Sequence, residues 1–210
     1  ARERVRRADF IGRDLVIVLG GDGTLTSISH NIDESTPVMG VNSHPKSDDP
    51  TGSVGFYMDS TLDTFSEDLE RALSGKAIVN NLPRLRAIID STSGNRYTTD
   101  PAMNELLIAN THQYAPSKYH LRRGDMNTDQ QSSGLIFSTW LGQGAWFSHS
   151  LDPTSLAEIR KVVESGEEDT HYFVLARDLD HQMRVDKKWS WLDWTETTTQ
   201  ILSDMHRGYV

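Results

Sequence analysis

Five consecutive apolar residues, Leu15-Val-Ile-Val-Leu19, run into Gly20-Gly21, the pattern of a short strand buried on both faces, as in a parallel sheet. Pro37-Val-Met-Gly-Val-Asn42 reads as a second such strand. Residues 24–31 between them have the length of a short crossover helix, which gives strand, glycine turn, helix, parallel strand. Residues 43–53 are rich in Ser, Asp, Pro and Gly and read as a surface loop. Beyond it Leu62, Phe65, Leu69 and Leu73 recur at spacings of three and four. With Ser60 to cap the start and Gly75 the end, they predict an amphipathic helix.

From Leu85 onward the texture changes. Arg84-Leu-Arg-Ala-Ile-Ile-Asp90, Glu105-Leu-Leu-Ile-Ala109 and Leu135-Ile-Phe-Ser-Thr139 are strand-like, separated by polar turn segments with no helical stretch between them. Helical spacing resumes over residues 156–164, and His171-Tyr-Phe-Val-Leu-Ala176 is a further strand. Trp189, Trp191 and Trp194 with Leu192 form an aromatic cluster suited to a core or a subunit contact. The expected fold is α/β: an incomplete doubly wound N-terminal domain over residues 1–82, then a β-rich, β-sandwich-like C-terminal domain over residues 83–210. The extreme C-terminus has room to return to the first domain.

Composition narrows the function classes. The 210 residues are 36% hydrophobic and 24% charged, within the range of folded chains. A net charge of −9 disfavours nucleic acid and anionic membranes as partners, while a small anionic ligand can still be met by backbone amides. The absence of cysteine removes disulfides, thiolate zinc sites and cysteine nucleophiles. No apolar run approaches the roughly 20 residues of a bilayer span, and the arginine-rich start resembles the tail of a surface helix. The expectation is a cytoplasmic protein, a mitochondrial location staying open. The eight histidines form no His-x-x-x-His pair, and neither a Walker-type loop nor a Gly-x-Ser-x-Gly elbow is present, so no metal site is expected.

The sharpest feature is Gly20-Gly21-Asp22-Gly23-Thr24, directly after a buried strand and before a helix. Glycines allow the turn and leave no Cβ to obstruct a ligand, and the first amides of the helix form an anion site. Asp22 would then lie near a phosphate and near the hydroxyl to be phosphorylated, placed to act as a base or as an indirect metal contact. The spacing equally fits a tight turn in which Asp22 merely caps the helix.

These residues resemble the GGDGT signature of the NAD kinase family, a loop that lipid kinases and phosphofructokinases share in similar form. Further likenesses follow in order. Gly40-Val-Asn42 with Gly52-Ser-Val-Gly-Phe-Tyr-Met-Asp59 is similar to the family's GVN and GxLGF stretches, and Asn104-Glu105 resembles its NE motif. Ser133-Gly-Leu-Ile-Phe-Ser-Thr139 followed by Gly142 and Ala145-Trp146 resembles the family's DGLIVSTPTGSTAY. The resemblance spans roughly residues 14–146 and implies a two-domain kinase with NAD between the domains. ATP, or polyphosphate in some members, phosphorylates the adenosine ribose 2′-hydroxyl, with Mg2+ accompanying ATP. Carried onto this chain, Asp22 activates that hydroxyl. Gly20, Gly21, Gly23 and Thr24 form the phosphate-side loop, with Asn42 in the following motif. Asn104 and Glu105 contact NAD, Phe56 lies near the adenine, and Thr139, Ala145 and Trp146 line the dinucleotide site. The resemblance and the tryptophan cluster together favour a homodimer or homotetramer.

Departures from the pattern fall at Trp140-Leu-Gly-Gln-Gly-Ala-Trp146, where two hydroxyl residues and a phenol are replaced, and at Ser133, where aspartate is common. These changes look more like the mitochondrial and plant NADH-kinase branch. Trp146 keeps a stacking face and one donor but accepts no hydrogen bond, leaving NAD and NADH both open as substrate. The family's first strand, helix and second strand have no room ahead of the glycine turn. Two rival readings stand: a degenerate dinucleotide-binding or regulatory module, and a lipid kinase sharing the loop. The latter is opposed by the net charge and by the lack of a basic amphipathic stretch.

Overall fold

The computed structural model describes residues 5–112, 114–163, 169–180, 191–205 and 208–209. The chain divides into two compact units, Ala1–Asn81 and Leu82–Val210. In the first, a 3-10 turn at Arg7–Asp9 leads to the buried Phe10; most of the arginine-rich start expected to be a helix tail lies outside the described residues. Strand β1 (Val16–Gly20) then enters helix α1 (Asp22–Ser29), and β2 (Val38–Asn42) returns parallel to β1 with Val16 opposite Val38 and Gly20 opposite Asn42. Helix α1 thus begins two residues before its expected start. Strand β3 (Ser60–Thr61) adds to the other edge of β2, also parallel, and α2 (Phe65–Leu73) follows.

Two expectations are corrected here. Ser60 does not cap α2: it is buried in β3, opposite Val41, and Thr64 precedes the helix instead. Pairing to β2 occupies the backbone of Ser60, so the helix starts later in the chain. Nor is β1 buried on both faces. Val18 is in the core with Leu25, Val41 and Met58, whereas Ile17 and Leu19 are 43% and 61% exposed.

The second unit is β-rich. In chain order it contains β4 (Ile88–Asp90), β5 (Arg96–Thr98), β6 (Glu105–Asn110), β7 (Ser117–Arg123), β8 (Met126–Ser132) and β9 (Leu135–Ser138). Helices α3 (Trp146–His149) and α4 (Pro153–Val162) follow, then β10 (Tyr172–Ala176), β11 (Trp191–Thr195), β12 (Gln200–Ser203) and β13 (Gly208–Tyr209). Five strands form one sheet in the order β11-β10-β9-β6-β13, and a second sheet runs β12-β7-β8. Alternation along the strands builds both sides of the larger sheet. Leu135, Phe137, Val174 and Ala176 meet Tyr119 and Leu121 of the smaller sheet, while Ile136, Phe173 and Leu175 pack against Phe147 of α3 and Ile159 of α4. Asp152 caps α4 by accepting from the amides of Thr154 and Ser155.

The β7–β8 hairpin turns through Gly124-Asp125 and occupies a stretch that reads as polar turn in the sequence. Its inward positions include Ser117, Arg123, Gln130 and Ser132, all buried. Tyr119 Oη satisfies Gln130 and Ser132, and Arg123 pairs with Asp193 of β11. Of the tryptophan cluster, Trp194 packs on Phe173 at 4.1 Å between ring centroids, and Trp189 lies outside the described residues. No helix among the described residues is long and apolar enough to cross a membrane.

Candidate active site

In the first unit, Gly21 is the N-cap of α1 and Asp22 its first residue, so the Asp22 side chain does not cap its own helix. It reaches instead to residues 53–57. Oδ2 accepts from the Ser53 hydroxyl and the Gly55 amide, both at 2.9 Å, and Oδ1 accepts from the Tyr57 amide at 2.9 Å. Burial pushes the Asp22 carboxyl up. The amide of Tyr57, the Ser53 hydroxyl and the amides of Phe56 and Gly55 outweigh it and hold the group below its ordinary value.

Two glycines of the turn play different parts. A Cβ on Gly21 would stand 2.7 Å from Ser53 Cβ, so the close approach of this loop requires glycine there. A Cβ on Gly23 would meet nothing within 4 Å. Packing therefore does not demand glycine at position 23, and the start of α1 is left open on the side where its amides face outward. Thr24 is exposed. Gly20 ends β1, and its carbonyl accepts from the Ser43 amide. Asn42 is 3% exposed and spends its amide on the loop, donating to the Ser53 carbonyl and accepting from the His44 amide. Phe56 is exposed, edge-on to Tyr57.

The second unit gathers the remaining predicted residues. Glu105 opposes Ser138 in the β6–β9 pairing. The Asn104 carbonyl accepts from the Thr139 amide at 2.9 Å and from the Ser138 hydroxyl at 3.2 Å. Thr139 is buried, donates to the Met103 carbonyl and caps the 3-10 turn Trp140–Gly144 through the Leu141 amide. Burial pushes the Glu105 carboxyl up, partly offset by the amides of Phe147 and Trp146 and by His149. Its Oε2 is buried with no hydrogen-bond partner. Ala145 is the N-cap of α3, and Trp146, 42% exposed, carries the Arg177 guanidinium 5.0 Å from its ring centroid.

The structure thus collects Gly20, Gly21, Asp22, Gly23, Thr24, Asn42 and Phe56 in one neighbourhood of the first unit, and Asn104, Glu105, Thr139, Ala145 and Trp146 in one neighbourhood of the second. Two residues beside these groups were not anticipated. Ser53 stands inside the glycine-containing stretch 52–59, but nothing local to it signals a bond to Asp22, 31 positions earlier. Arg177 follows an ordinary strand. Among the described residues, no three histidine, aspartate or glutamate side chains converge to hold a metal.

Residues 2–77 match the family model for the ATP-NAD kinase N-terminal domain. The chain is 33% identical over 147 residues to an NAD kinase of Syntrophobacter fumaroxidans, covering 67% of this chain and 48% of that one. It is 38% identical over 88 residues to an NADH kinase of Arabidopsis thaliana, covering 37% and 28% of the two chains. The chain belongs to the NAD kinase family. Its fold agrees. An NAD kinase from Archaeoglobus fulgidus solved with ATP superposes with a TM-score of 0.64 at 16% identity, over all of this chain and 75% of that one. Yeast NADH kinase solved with NADH gives 0.62 at 15%, over 93% and 57%. This NAD kinase relative spans about half the length of the curated relatives it matches over both its units. Within the family likeness, Asp22 and its donors Ser53, Gly55 and Tyr57 all fall inside the residues matched by the family model.

Proposed function

We propose that this chain phosphorylates the 2′-hydroxyl of the adenosine ribose of NAD or NADH, using ATP, to give NADP or NADPH. The observation that supports this most directly is an aspartate, held by four donors, beside a glycine whose missing side chain the fold itself does not require. In this reading the ribose oxygen bonds to the γ-phosphorus as the bond to the leaving ADP breaks, and the hydroxyl proton passes to Asp22. The glycine turn and the first amides of α1 take up phosphate charge. Asn104 and Glu105 hold the dinucleotide, Glu105 offering acceptors to a ribose diol, and Trp146 gives a stacking face. A Mg2+ ion would travel with the triphosphate. Self-association as a dimer or tetramer belongs to the same proposal.

The test is NADP formation from NAD and NADH, each with ATP or polyphosphate, by the parent protein and by Asp22→Asn. A positioned base contributes about 10²–10⁴-fold, so the variant should lose at least about a hundredfold in turnover. Undiminished turnover would remove Asp22 from the chemistry. A second reading, a dinucleotide-binding module without phosphoryl transfer, draws on the full set of donors already on Asp22. NAD binding by calorimetry with no product from any donor would favour it.

A further inference from the structure

We propose that Ser53 is a positioning residue of the transfer step: its hydroxyl ties Asp22 Oδ2 to the loop and so fixes the orientation of the carboxylate that takes the substrate's proton. This deepens the kinase reading and rests on it.

Ser53 Oγ accepts from the Asp22 amide at 3.0 Å and from the Gly55 amide at 3.3 Å. Amides can only donate, so the single O–H of Ser53 must point to Asp22 Oδ2, 2.9 Å away. Oδ2 also accepts from the Gly55 amide, which fills its two lone-pair directions. Oδ1 accepts from the Tyr57 amide, and the Phe56 amide is a further donor to the carboxylate. The serine hydroxyl is thus committed to the carboxylate and fixes its rotation against the loop.

Ser53 is itself immobilised. Its amide donates to the His44 carbonyl at 2.8 Å, and its carbonyl accepts from the Lys46 amide and from Asn42 Nδ2. Gly21 lets the serine approach closely enough, since any Cβ there would collide with it. The groups that act on Asp22 are all uncharged, the Ser53 hydroxyl and the amides of residues 55–57, so the serine sets the strength of this base as well as its direction.

The experiment compares the parent with Ser53→Ala, Ser53→Cys and Ser53→Thr, each confirmed folded by circular dichroism. Cysteine keeps the shape with a weak donor, and threonine keeps the hydroxyl. In the alanine and cysteine variants kcat should fall about tenfold, the worth of one charge-assisted hydrogen bond. KM for the dinucleotide should stay within about twofold. The acid limb of kcat against pH should rise by about one unit, with threonine returning toward the parent. Parent-like kcat and acid limb in the alanine variant would overturn the assignment. So would a cysteine variant that matches the parent while alanine falls, since that outcome reports packing. Carbon-13 NMR titration of the Asp22 carboxyl supplies a readout independent of turnover: its midpoint should rise in Ser53→Ala, and an unmoved midpoint refutes the proposal even in a protein that makes no NADP. Inactivity of the parent, or full activity of Asp22→Asn, counts instead against the kinase reading.

Discussion

Replacing Gly23 by alanine separates what the fold needs from what a ligand needs. The residue is the second of α1, it is exposed, and an added Cβ meets no atom within 4 Å. Removing a glycine from a helical position restricts the unfolded chain and stabilises by about 0.4–1 kcal/mol where the backbone accepts a side chain. Gly21→Ala is the opposite case: its Cβ would lie 2.7 Å from Ser53 Cβ, an overpacking that costs roughly 1–3 kcal/mol. Chemical denaturation followed by circular dichroism should place Gly23→Ala at or above the parent and Gly21→Ala below it. In the NADP-forming assay Gly23→Ala should nevertheless lose at least about tenfold, because a methyl group at the helix start occupies space a phosphate oxygen would use. A stabilised Gly23→Ala variant with parental turnover would refute the assignment of this turn to the phosphate.

Three further outcomes follow from the titratable groups. The Asp22 carboxyl lies below its ordinary 3.8 when folded, so its contribution to the first unit is complete above that value and is lost as pH falls through the lower folded one; acid unfolding of Asp22→Asn should lack this step. Glu105 is shifted the other way, above 4.5, so its contribution is fullest below 4.5 and is lost as pH rises through the folded value. Glu105→Gln, which replaces the unpartnered Oε2 or its neighbour with a neutral group, should gain stability relative to the parent at pH 7 and not at pH 4, and parallel curves would refute this. Burial pushes the Tyr119 phenol up to about 12 from 10.0. Its contribution is therefore intact below pH 10 and lost between 10 and 12. Tyr119→Phe should remove that alkaline loss while costing roughly 1 kcal/mol at neutral pH through the bonds to Gln130 and Ser132.

Elements that carry their own apolar signal were legible in the chain. The runs at residues 15–19 and 37–42 and the strands beginning near Glu105, Leu135 and Tyr172 are short continuous apolar stretches, and such a stretch is a local property. The glycine turn was legible for the same reason, since its meaning lies in five adjacent residues. The hairpin of β7 and β8 was not. Its buried face holds Arg123, Gln130 and Ser132, polar groups tolerated because Tyr119 across the hairpin bonds Gln130 and Ser132 and Asp193, 70 positions on, pairs with Arg123. The start of α2 was misplaced because β2 captures Ser60.

Periodicity and turn chemistry determined that this chain alternates strand and helix early, turns β-rich later, and sets an aspartate among glycines at a helix start. Which atoms that aspartate touches was decided by the fold alone. Ser53, Gly55 and Tyr57 lie 31 to 35 positions beyond it, and a hydrogen bond across such a separation exists only once β1, α1 and β2 have brought both ends of the loop together.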